Sequence, residues 1–465
     1  MRSILARVTR ASVCLLLSLA AAAAAQARCQ ITVSPGENVR EAFAEAMASS
    51  CSVHLLAGEH VITARLGVEL NGTAQDPAVI SGEGSATTHL HRPNRQQNII
   101  DLSGNHVDVR DLTFTGGDRG IRLERSSTAV RFERIVVHGT GDAAFTANTP
   151  GATYRDIVIR GSEFYDTNGF GECLYLGCNK GACTFSDAQV LSNYCHDTHS
   201  TKGRDQGDGL DLKGGSEAVL VRNNVFVNTH GLGILAYANG GKRRNIFEGN
   251  VILNRQGGRG IQVTGDAHLR NNVVILENVK GEAGIVGSPN NQGIPDNLVI
   301  LHNTVVRRGG VGRCMTFRGW QGDAPRIIVA NNAVYCPEGE ALYVADEPQL
   351  GLIASNAIQG TTNLTAGTFA AGAWADELVA PFTAANAYPR AGASLLGTAD
   401  VVLSIQRDFN CRARRVPSDV GAYGRIEADN IGWTGADTFK HCAAPRPSLP
   451  PLPPPRLPPS RTERR

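Results

Sequence analysis

Three short segments carry the residue types best able to do chemistry: Gly171-Glu172-Cys173-Leu174-Tyr175-Leu176, Gly207-Asp208-Gly209-Leu210-Asp211-Leu212-Lys213 and Gly258-Arg259-Gly260-Ile261-Gln262-Val263. In each, apolar residues fall at alternate positions (Leu174 and Leu176, Leu210 and Leu212, Ile261 and Val263), the period of a strand with one face in a core. Asp211 and Lys213 then face outward. If the segments are rungs of one stack, about 4.8 Å apart, Glu172, Asp208 and Asp211 meet on one exterior stripe. Lys213 shares that face, with Tyr175, Tyr237, Arg259 and Gln262 flanking it. Carboxylates packed this closely repel unless they share a proton or a cation, so the pattern predicts a metal site or an acid–base site. The polar insertion from His196 to Gln206 is expected to rise beside it as a wall, and His230 follows on the next turn.

Such a site needs elements that repeat in register, and the chain supplies them. Val221-Arg222-Asn223-Asn224-Val225-Phe226, Leu269-Arg270-Asn271-Asn272-Val273-Val274, Ile300-Leu301-His302-Asn303-Thr304-Val305 and Val329-Ala330-Asn331-Asn332-Ala333-Val334 are copies of one pattern. With weaker copies, the register positions are 112, 135, 162, 193, 224, 250, 272, 303, 332 and 356. Spacings of this size, with short alternating strands and Gly turns, describe a solenoid. A leucine-rich repeat would show L-x-x-L-x-L, which is missing, and propeller blades need about forty residues. The recurrent Asn marks one corner, where stacked amides can satisfy turn backbone groups. Both ends need caps. Residues 37–50, with Val39, Ala42, Phe43 and Ala46 on one side, predict a capping helix, and the Ala-rich stretch 366–444 is expected to close the other end.

Composition agrees with an all-β chain. Of 465 residues, 42% are hydrophobic and only 6% aromatic, with 52 Gly. That apolar share excludes wholesale disorder, and a formal charge of +2 excludes a nucleic-acid footprint. Arg2, Arg7 and Arg10, the apolar run Val13 to Ala25, and Ala25-Gln26-Ala27 read as a signal peptide over 1–27. No later stretch is long and apolar enough to span a bilayer. The mature protein is therefore expected to be secreted, extracellular or periplasmic, and monomeric. Ten cysteines remain after residue 27, an even set that implies disulfides. Local pairs are Cys29–Cys51, Cys314–Cys336 and Cys411–Cys442, with Cys173, Cys178, Cys183 and Cys195 pairing among themselves. Zinc is the rival for these four, but the spacing lacks a C-x2-C knuckle. The Pro-rich stretch 445–465 reads as an extended, disordered tail.

Over residues 50–425 the chain resembles the right-handed parallel β-helix proteins of the pectate-lyase-like superfamily. Asp408-Phe409-Asn410, Arg414, Arg415 and Ser418-Asp419-Val420-Gly421-Ala422-Tyr423 are similar to the closing segment of many secreted members. The resemblance implies about ten coils over 51–365, between an N-terminal cap at 28–50 and an irregular C-terminal cap. It also implies an acidic, uronate-containing polysaccharide on the strand face described above, cleaved by β-elimination with calcium. Glu172, Asp208 and Asp211 would hold the metal, and Lys213, its pKa lowered by the metal, would abstract the proton. Arg259 would clamp a carboxylate, Tyr237 would return a proton, and Tyr175, Gln262 and His230 would contact the sugar. The adjacent Asp-Asp pair of many pectate lyases is absent. Two other readings stand beside this one: a glycoside hydrolase using paired carboxylates, and a non-enzymatic carbohydrate-binding or adhesin solenoid.

Overall fold

The computed structural model describes residues 28–442, apart from 204, 256, 320–326, 346–350, 426–432, 434 and 436–437. The expected signal peptide and Pro-rich tail lie outside the described residues. Among the described residues, 36 strands join one parallel system wound into about 11 turns. A representative turn runs through Gln189–Leu191, Tyr194–His196 and Leu210–Leu212, one strand in each of three sheets. The next turn repeats it with Leu220–Arg222, Val225–Val227 and Leu232–Ala236. Like residues fall above like. In the first sheet Ile159, Val190, Val221, Phe247, Leu269, Ile300 and Val329 form one buried column. Inward positions are apolar because a parallel stack has nowhere else to hide its core.

The corner between the first and second sheets is built from two residues. Ser192, Asn223, Asn271, His302 and Asn331 adopt left-handed backbone angles (φ from 51° to 57°), turning the chain within one residue. Asn tolerates this region because its short side chain bonds locally. The residue that follows is the ladder asparagine. Asn193, Asn224, Asn250, Asn272, Asn303, Asn332 and Asn356 each pass a hydrogen bond to the next, Nδ2 to Oδ1, at 2.9–3.0 Å. From Asn224 onward each Oδ1 also accepts the backbone N–H of the preceding ladder residue, and Asn193 Oδ1 accepts that of Ser162. All seven are buried.

The helix Val39–Ser49 forms as expected, N-capped by Asn38 and burying Val39, Phe43 and Ala46. The N-terminal segment is more than a cap, because Gln30–Val33 already pairs in parallel with Ser52–Leu55. The Cys29–Cys51 disulfide fastens the two together. At the far end, Thr368–Ala370 extends the pairing beyond residue 365. The C-terminal stretch also departs from the expected end plug. Leu378, Phe382, Tyr388, Phe409, Val420 and Tyr423 build a second core against the outward side chains Val251, Val273, Val306, Ala333 and Tyr335. The segment therefore lies along the flank of the second sheet. The physical reason is that these outward positions are apolar, so they need a cover.

Five disulfides close: the three local pairs as expected, with Cys173–Cys195 and Cys178–Cys183 completing the central four.

Candidate active site

The site lies on the outward face of the third sheet. Tyr175 stands above Asp211, and then come Leu235 and Gln262, in register. Leu174, Leu210, Ile234 and Ile261 point into the core from the neighbouring column. The strand period thus aims Asp211 out, and tight apolar packing behind it fixes its position. Glu172 and Asp208 sit where consecutive loops enter these strands. The Cys173 N–H donates to the Asp208 carbonyl at 3.0 Å and the Ala144 N–H to the Glu172 carbonyl at 2.9 Å. Asp208 Oδ1 accepts the Leu232 N–H at 2.6 Å, and a Cβ at Gly231 would fall 2.3 Å from that oxygen, so only glycine fits there.

Lys213 is the centre of the arrangement. Its Nζ lies 2.6 Å from Asp211 Oδ2 and between two aromatic rings, 4.7 Å from the Tyr175 centroid and 4.6 Å from that of Tyr237. It also donates to the Tyr237 hydroxyl at 3.4 Å. A desolvated ammonium over two ring faces gains cation–π attraction on both sides. Burial works against its charge, but Asp211 and the two tyrosines outweigh burial and push its pKa above the ordinary amine value. The shift runs upward, opposite to the one a lysine base needs, because the neighbour facing it is an anion.

The acids shift the other way. Burial, reinforced by Asp211, pushes Glu172 up to about 7. Asp208 is raised well above its ordinary range by burial and by Asp211. Asp211 is raised by burial, with Lys213 pulling against it. Tyr175 is pushed up to about 12 by burial, and Tyr237 is raised for the same reason, so both phenols keep their protons. Both Glu172 oxygens and Asp211 Oδ1 are buried without a hydrogen-bond partner. A buried carboxylate left this way is costly unless a proton or a cation reaches it. Among the described residues no three His, Cys, Asp or Glu side chains converge as a ready-made ligand set.

The flanking residues separate into near and far. Arg259 pairs with Asp205 at 2.9 Å in the inserted loop and acts electrostatically on Asp208. Gln262 donates to Ser288 Oγ at 3.3 Å, further down the sheet. His230 is an exposed loop residue whose Nδ1 meets the Gln206 carbonyl at 3.0 Å. It braces the insertion and is not part of the acid cluster.

Residues 98–278 match the family model for the right-handed beta helix region. The chain carries a right-handed β-helix region. No curated protein matches its sequence. Among solved structures, this β-helix protein is similar to an alginate lyase from Paenibacillus sp. str. FPU-7, with 17% identity, 73% of this chain, 97% of that one and a TM-score of 0.40. It is similar to pectate lyase Pel9A, with 14% identity over 86% and 97% of the two chains and a TM-score of 0.46. The A-module of the Azotobacter vinelandii mannuronan C-5 epimerase AlgE4 aligns at 13% identity over 72% and 96%, with a TM-score of 0.43.

Three residues of the β-helix protein join the site without a signal in the repeat pattern. Asp142 accepts the Phe170 N–H at 2.9 Å and acts electrostatically on Glu172. Asp205 is the partner of Arg259. Gln292 reaches across several coils to accept the Lys180 N–H at 2.7 Å. All three sit in loops, where no alternation marks which way a side chain points.

Proposed function

We propose that this protein is an exported polysaccharide lyase that cleaves a uronate-containing chain by β-elimination. One observation carries the reading: the Lys213 ammonium, clamped between two tyrosine rings and 2.6 Å from Asp211, beside buried acids with unsatisfied oxygens. Carboxylate oxygens buried without partners cost stability, and perturbed groups in such a setting suit catalysis. Five disulfides suit an oxidising compartment, and no helix among the described residues is long and apolar enough to cross a membrane.

In the reaction, Arg259 clamps a substrate carboxylate, and Lys213, once it has released its own proton to solvent, takes the proton from the carbon beside the carboxylate. The carbon–oxygen bond to the leaving sugar breaks as the double bond forms, and Tyr237, which keeps its proton, delivers it to the leaving oxygen. Lys213 gives up its own proton only when the charge of Asp211 is otherwise neutralised. The partnerless oxygens of Glu172 and Asp211 are hard donors for calcium, but with Asp208 they do not converge as a finished ligand set, so substrate oxygens would have to complete the coordination. Bound there, calcium would supply positive charge to the substrate acid and to Asp211.

One observation favours hydrolysis instead: Glu172, raised to about 7, keeps a proton on a large share of molecules at neutral pH, as a general acid needs. Its burial at 1% exposure sets it back from a glycosidic oxygen. Incubation with polygalacturonate, polymannuronate and polyguluronate, with and without chelator, tests both. Ultraviolet absorbance of an unsaturated uronate product is expected, lost in Lys213→Ala. New reducing ends without that absorbance would favour the hydrolase, and neither signal would leave a binding protein.

A further inference from the structure

A cavity of about 580 Å³ lies between the solenoid flank and the C-terminal segment. It belongs to the first sheet and its corner, where Arg222, Glu248 and Arg270 form one outward column, and so is on a different face from Lys213. The loop around Ser404 to Phe409 forms the opposite wall, fastened by Cys411–Cys442.

Its chemistry is specific. Arg222 and Arg270 share one carboxylate, Glu248, at 2.7 and 3.2 Å. Burial raises that carboxyl, but the two guanidiniums outweigh burial and hold it below its ordinary range. Two cations on one anion leave a net positive wall, and Arg270 Nε is buried with no partner. Arg407 adds a third guanidinium, whose Nη1 bonds the Cys411 carbonyl at 2.8 Å. Asp408, also on the wall, is already engaged by the N–H groups of Asn410, Arg412 and Gly424. Ile405 and Phe409 supply apolar surface, and Ser404, Gln406 and Asn223 supply hydroxyl and amide groups. The chain's own tail is a poor occupant, because beyond Cys442 it carries Arg446, Arg456, Arg461, Arg464 and Arg465 against the single acid Glu463.

We propose that this cavity is a non-catalytic binding site for a short acidic saccharide of up to three rings. Guanidiniums recognise carboxylates in two-pronged fashion, the apolar wall takes a sugar's C–H face, and the volume falls in the range of small-ligand sites.

Isothermal titration of the full chain with trigalacturonate and trimannuronate tests this, with neutral maltotriose and inorganic sulfate as controls. The Lys213→Ala background prevents turnover, and the measurement does not depend on whether the protein is a lyase. One or both acidic trisaccharides should bind wild type and Lys213→Ala alike. Affinity should fall at least about tenfold in Arg270→Ala and in Arg407→Glu. Arg407 is exposed, so its variant keeps the fold, checked by circular dichroism, even if loss of Arg270 does not. The proposal is overturned by any of four results: no binding, equal binding of maltotriose, full displacement by sulfate at the trisaccharide's own concentration, or binding that Lys213→Ala abolishes while Arg407→Glu does not.

Discussion

Two stacks of buried polar residues run along this solenoid, and they are built to opposite rules. At the corner between the first and second sheets, Asn193 to Asn356 satisfy one another completely, amide to amide and amide to backbone. On the third sheet, Glu172, Asp208, Asp211 and Lys213 are as deeply buried, yet three carboxylate oxygens have no partner. Burial with every bond made is what stability requires. Burial with bonds left open raises pKa values and keeps groups reactive. The first stack holds the coils together, and the second is held by them.

The sharpest way to separate the two is Lys213→Ala. Under the lyase reading, elimination falls by at least about 10³-fold, read as the rate of unsaturated-product formation, with near-native circular dichroism. Asn272→Ala should do the reverse. It strips the N–H of Asn250 of its acceptor, breaks the bonds to Phe247 and Asn303, and costs about 2–4 kcal/mol in urea unfolding. Activity per folded molecule should not change.

Glu172→Gln sharpens the comparison through pH. Because the folded-state pKa of Glu172 is raised to about 7, its stabilising share is present below the ordinary carboxylate pKa and lost as pH rises through 7. In calcium-free buffer the wild type should therefore lose up to about 3 kcal/mol between pH 4 and 8 from this group, and Glu172→Gln should flatten that part of the curve. Calcium addition at pH 8 should raise the melting temperature of the wild type more than that of the variant. The smallest effect is expected for Gln262→Ala, a KM increase of a few-fold with kcat and melting temperature unchanged. A large kcat loss there would move the reaction centre down the sheet.

Much of this was legible in the sequence where chemistry repeats. The ladder asparagines from 193 to 356 coincide with the register positions because each coil needs the same amide at the same corner. Alternation placed Asp211 and Lys213 outside for the same reason. The rest has no period to read. Nothing local in Leu378, Phe409 or Tyr423 says that they pack on Val251 and Val273, because a flank and an end cap both call for apolar residues. The charge state of Lys213 depended on a 2.6 Å approach to Asp211 that strand spacing alone leaves open.

The C-terminal segment laid along the second sheet has a mechanical consequence. In a bare solenoid each coil leans only on its neighbours, so the ends can fray one turn at a time. Here Asn223, Asn271 and Asn331, more than a hundred residues apart end to end, are each tied to the same strap, through Cys442, Arg407 and Asp400. Those turns can come apart only as a block, like slats fixed to one batten, and hydrogen exchange should show them opening together while the turns before residue 190 open separately.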